Sequence, residues 1–179
     1  MKPIVIILLV VTIGIALSVG IGCVPAKTVW KSTPGVQKAA NKLYTAKIEP
    51  LKKEADFYVS FLFQVTNKTK KSLEVDWNKT RYLLNGKAQG GFVFRGIKPK
   101  DIKNATIPPD IIPPRVTFSK SISPFKMLAR APIRGRSTGM SRSEINPGIL
   151  PNGENGMLLV VRQEGKEIVE RLTVIITER

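Results

Sequence analysis

The sequence predicts an all-β domain, an antiparallel sandwich behind an N-terminal hydrophobic signal helix. Three observations carry that expectation. Several segments alternate apolar and polar residues with a period of two, most clearly from Phe57 to Thr66. Polar turn clusters separate these segments at intervals of about 8 to 12 residues. Past the leader, no window longer than Thr33 to Leu43 carries a helical period.

Residues 1–22 hold one charge, Lys2, ahead of an apolar run from Ile4 to Ile21. A basic start, an apolar stretch and small residues before a cut describe an export signal, and the run also approaches bilayer-spanning length. A cleaved signal and a retained anchor are therefore both open. Cys23, the single cysteine, follows Gly22 at the end of that run. Here the chain resembles the bacterial lipoprotein signal, which is cut before a lipid-modified cysteine. The resemblance implies a thioether-linked diacylglycerol on Cys23, a cell-envelope location and a face toward the periplasm. Val24, in place of an inner-membrane aspartate, implies the outer rather than the inner membrane.

Residues 23–53 read as the lipidated N-terminus and a basic tether. Lys27, Lys31, Lys38, Lys42, Lys47, Lys52 and Lys53 face only Glu49 in opposition. Thr33-Pro34 is placed to cap a short helix with Val36, Ala39, Ala40 and Leu43 on one face. Near an anionic membrane each lysine contributes on the order of 1 kcal/mol, and a solvated spacer is the plainer reading.

The domain proper is expected over 54–179. Phe57, Val59, Phe61, Phe63 and Val65 form one face of a strand, and Leu73, Val75 and Trp77 one face of the next. A polar turn at 67–71 between them predicts a hairpin. Arg81–Leu84 precedes an Asn85-Gly86 turn, a dipeptide suited to positive φ, and Gly91–Phe94 reads as strand. Pro108-Pro109 and Pro113-Pro114 bar Asp110–Ile112 from the middle of a sheet. Val116, Phe118 and Ile122 form a further face, with Lys120 interrupting it. Met157–Arg162 and Glu167–Thr177 flank a Gln163–Lys166 turn, with Leu172, Val174 and Ile176 facing inward. Residues 130–156 read as a long basic loop. The sum is an immunoglobulin-like sandwich, with a small closed barrel as the alternative.

From Val65-Thr66-Asn67 through Leu73-Glu74-Val75, Tyr82-Leu83-Leu84-Asn85-Gly86 and Ile112-Pro113-Pro114 to Phe118, the order of motifs resembles the water-stress and late-embryogenesis-abundant immunoglobulin-like domains. Lys68 stands where that family has proline. The resemblance implies a non-catalytic sandwich and brings no active-site residues with it.

Composition narrows the chemistry. There is no histidine, so neither a Ser-His nor a Cys-His pair can form. The lone cysteine leaves no internal disulfide and no multi-cysteine zinc site. Glu74, Asp76 and Asn78 share one strand face, which would present oxygens to calcium, but amphipathic alternation produces the same pattern. Ser123 and Lys126 fit a Ser-x-x-Lys spacing. No metal and no cofactor are expected.

The chain carries 29 Lys+Arg against 13 Asp+Glu. Among these, Arg130, Arg134, Arg136 and Arg142 are the candidate anion-binding residues. An anionic envelope polymer or an envelope protein is the expected partner, with no nucleic acid. The reading is a lipid-anchored, non-catalytic envelope protein, against an envelope hydrolase using a Ser-Lys or carboxylate site.

Overall fold

The computed structural model describes residues 28–52, 56–97, 101, 104, 106–129 and 146–179. Among them lie fourteen strands. These are β1 (Trp30–Thr33), β2 (Gln37–Ala40), β3 (Tyr44–Lys52), β4 (Tyr58–Asn67), β5 (Leu73–Val75), β6 (Arg81–Leu84) and β7 (Lys87–Ala88). They continue as β8 (Phe92–Val93), β9 (Asp110–Ile112), β10 (Thr117–Pro124), β11 (Leu128–Ala129), β12 (Asn146–Pro147), β13 (Gly153–Gln163) and β14 (Lys166–Glu178). One 3-10 turn, Phe125–Met127, follows β10.

Twelve of the strands build two antiparallel sheets, with β11 and β12 forming a small pair of their own, so the fold is an all-β sandwich. The first sheet runs β1-β14-β13-β5-β9, with β6 also paired to β13 and β7 to β6. The second runs β2-β3-β4-β10-β8. Taking β3, β4, β10 and β8 with β14, β13 and β5 reproduces the two-sheet strand order of an immunoglobulin-type sandwich. Both sheets end in edge strands, so the barrel alternative does not apply.

Alternation makes the core. Phe61, Phe63 and Val65 of β4 meet Met157, Leu159 and Val161 of β13 and Leu172, Val174 and Ile176 of β14, all buried. Phe63 packs edge-on against Trp77 at 5.6 Å between ring centroids. The β13–β14 ladder is the longest, registering Gly153 on Ile176 through Gln163 on Lys166. At its middle, a Cβ on Gly156 would lie 2.1 Å from the Leu172 carbonyl oxygen, so only glycine fits. The Asn85-Gly86 turn takes φ of +48° and +77°, as its sequence predicts. β9 is an edge strand, as its flanking prolines require.

Four expectations need correction. The supposed tether, over its described part 28–52, supplies β1, β2 and β3, and no helix forms between Thr33 and Leu43. Tyr44, Ala46 and Ile48 of β3 are completely buried, so the sandwich starts near Trp30. Next, β4 and β5 are not a hairpin: β4 pairs with β3 and β10, β5 with β13 and β9. The connecting turn crosses between sheets, held by the buried Asn67, whose Nδ2 donates to the carbonyls of Lys71, Ile112 and Pro113. Third, β13 begins at Gly153, so the end of the expected loop is strand, and Asn155 is buried. Fourth, Val116 is exposed, because it closes the turn from Pro113 (Val116 N–H to Pro113 carbonyl, 3.3 Å) before β10 begins.

Candidate functional site

Backbone pairing defines one end of the sandwich, at which the chain segments flanking Cys23 and the four arginines in sequence are found. Val29 and Arg179 exchange N–H···O bonds of 2.6 and 3.0 Å, so the chain enters the fold beside the finish of β14. β13 starts at the same end, and the β6–β7 turn docks on it through Asn85 N–H to the Glu154 carbonyl (2.8 Å) and Glu154 N–H to Asn85 Oδ1 (2.9 Å). In the second sheet β4 starts there, tied by Leu150 N–H to the Tyr58 carbonyl at 2.8 Å, and β10 finishes there. β11 and β12 pair Leu128 with Pro147 and Ala129 with Asn146, forming a neck from which residues 130–145 leave and to which they return.

Cys23, Arg130, Arg134, Arg136 and Arg142 all lie outside the described residues. Their nearest described neighbours, Thr28 on one side and the neck on the other, belong to this one proximal end. Phe125 and Ile149, both exposed, and Lys52, which lies 5.2 Å over the Tyr58 ring, are found there too.

The interruption at Lys120 has a structural cause. Lys120 Nζ sits 3.9 Å from the centroid of Phe94, 5.2 Å from Phe118 and 5.5 Å from Trp77. It donates to Asp110 Oδ2, which also accepts from Trp77 Nε1 at 2.7 Å. An ammonium over aromatic faces gains from their quadrupoles, and the carboxylate neutralises it where it is three-quarters buried. This cluster bridges β10 of one sheet to β9 of the other, closing the flank that neither β8 nor β9 covers with backbone.

Glu74, Asp76 and Asn78 do not converge as a calcium site. Asp76 is buried, and its Oδ1 accepts the N–H groups of Asn78 (3.0 Å) and Lys79 (3.1 Å). Its Oδ2 faces Arg162 at 3.2 Å, and Asn78 binds the Ile107 backbone through both amide atoms. These oxygens hold a turn. Among the described residues no group of three or more His, Cys, Asp and Glu comes together. Of the Ser-x-x-Lys pair, Ser123 and Lys126, Lys126 Nζ donates to Gln89 Oε1 at 2.5 Å.

Burial pushes the Tyr44 phenol up to about 12, helped by the charge of Glu170. Burial also raises Tyr82, whose hydroxyl lies 2.5 Å from Asn155 Oδ1 inside the core. Both phenols serve packing.

A cavity of about 400 Å³ lies beside the neck, lined by Val93, Phe94, Arg95, Ile97, Leu128 and Pro147 together with Ser121 and Ser123 of β10. A smaller one of about 250 Å³ lies between Trp77, Arg81 and Phe125. Sequence reasoning missed both Arg95 and the Lys120 cluster; a lysine on an otherwise apolar strand face was the available signal for the latter. Family models, curated proteins and solved structures were compared with the chain, and none matches it.

Proposed function

We propose that this chain is a lipid-anchored, non-catalytic protein of the cell envelope, held by an acylated Cys23 and facing the periplasm. Its sandwich binds or assembles with another envelope component. The observation that carries this reading is the convergence of two chain segments. Thr28, five residues after Cys23, and the β11–β12 neck, between whose strands the sequence carries Arg130, Arg134, Arg136 and Arg142, stand at the same end of the sandwich. A tether from Cys23 therefore brings the arginine-rich segment close to the membrane surface. There it meets anionic head groups or an anionic polymer, each cation contributing about 1 kcal/mol.

Replacing Cys23 by Ala tests the anchor. Metabolic labelling with palmitate should vanish and processed protein should leave the membrane fraction. Labelling that persists overturns the proposal, and an uncleaved leader that keeps the variant in the membrane favours the retained-anchor reading. Changing the four arginines together to Gln should weaken retention on vesicles rich in anionic phospholipid while leaving palmitate labelling unchanged.

A further inference from the structure

The cavity beside the neck is built from residues of the folded sandwich. β8 pairs with β10 only at Ser123 with Val93 and Pro124 with Phe92. After Val93 the chain turns away, with Ile97 N–H on the Phe94 carbonyl at 3.2 Å and Gly96 at φ +95°. That departure leaves the outer face of β10 uncovered at Ser121 and Ser123. Leu128 and Pro147 of the neck stand across the gap and turn it into a pocket of about 400 Å³. This is within the range of small-molecule sites, roughly 300–1,000 Å³.

The lining is divided by chemistry. Val93, Phe94, Ile97, Leu128 and Pro147 offer apolar surface, and Arg95, Ser121 and Ser123 offer donors. Arg95 is exposed and has no carboxylate partner among the described residues, unlike Arg162 and Arg171, which face Glu74 with Asp76 and Glu154. The neighbouring cation, Lys120, is already matched by Asp110. An unmatched guanidinium beside two hydroxyls is suited to a carboxylate or phosphate, which it can grip with two parallel N–H bonds.

We infer that this cavity binds an anionic amphiphile, its charged oxygens on Arg95 and the two serines and its alkyl chain against Phe94, Ile97, Leu128 and Pro147. A free fatty acid and an alkyl phosphate from a lipid head group share that chemistry. The site uses residues of the folded sandwich alone, so it stands whether or not Cys23 carries lipid.

Photo-crosslinking tests it with the full chain in nanodiscs of zwitterionic lipid. The probes are a diazirine-bearing fatty acid, the matching alkyl phosphate and the matching alcohol. The anionic probes should label peptides spanning 93–97 and 127–129, and Arg95→Met should cut labelling about tenfold, the scale of one charge-assisted contact. Arg115→Met, at the opposite end, should leave labelling unchanged and serves with circular dichroism as the folding control. Preference for one anionic probe identifies the head group. Equal labelling by the alcohol, labelling centred elsewhere, or an Arg95→Met variant that labels like the parent overturns the inference.

Discussion

The two flanks of the sandwich are closed by different means. On one flank the chain does it covalently: β1 completes the first sheet beside β14, and after Thr33 the chain passes into β2 at the edge of the second. Asn41 reinforces the crossing, accepting the N–H groups of Leu43 and Tyr44 at 2.8 and 3.0 Å and donating to Glu170 at 3.0 Å. On the other flank the chain crosses from β7 into the short β8 and then turns away after Val93. Side chains bridge the gap, with Lys120 and Asp110 set against Trp77, Phe94 and Phe118, and the ligand-sized cavity opens beside them. The gap bridged by side chains has a cavity beside it. The difference places the buried polar bridge, and with it the larger stability loss on mutation, at the second flank beside the cavity.

Mutations at the two flanks should rank them in that order. The largest effect is expected from Trp77→Ala, which removes a completely buried ring and the N–H bond to Asp110. A loss of about 3–5 kcal/mol in denaturant unfolding is expected, and a loss below that of surface substitutions would break the picture of Trp77 as keystone. Asp110→Ala strands both Lys120 and the Trp77 N–H, at a cost of roughly 1–3 kcal/mol. Asn41→Ala, on the backbone-closed flank, should cost about 1 kcal/mol, as loss of a capping side chain does. Lys120→Met removes the charge but keeps the stem over the rings, so stability should stay within about 1 kcal/mol of the parent or rise. If Lys120→Met proves as damaging as Asp110→Ala, the ion pair itself carries the flank. Thermal unfolding of the four variants in one buffer makes the comparison direct.

Dependence on pH follows the core. Tyr44 and Tyr82 have folded values raised above the unfolded value of 10.0. For a phenol this means the folded state holds its proton longer, so the stabilisation is complete below about pH 10 and is lost as pH rises from there through the folded values. With no histidine in the chain, stability should be nearly flat between about pH 6 and 9 and fall above 10. A midpoint near pH 7 in the unfolding profile would contradict this assignment.

Much of the fold was legible because burial on one side of a sheet writes itself as alternation. β4 and β14 carry large apolar residues at every second position, and both are strands with those faces buried. β3 uses the same period with weaker letters, Tyr44, Ala46, Ile48 and Pro50, between lysines, and so passed for tether. Alternation gives a face but no partner, which is why β4 and β5 read as a hairpin although Asn67 turns the chain into the other sheet. Of the candidate site, the arginines and Cys23 follow from sequence alone and lie outside the described residues. Arg95 gave no local signal: its neighbours Ser121 and Leu128 are brought to it only by the pairing of β8 with β10.

The central claim is the anchor, and intact-mass analysis of the protein purified from its native cells tests it most directly. The account predicts a chain beginning at Cys23 and heavier than its amino acids by a diacylglycerol. A chain that retains residues 1–22 and an unmodified thiol would contradict it.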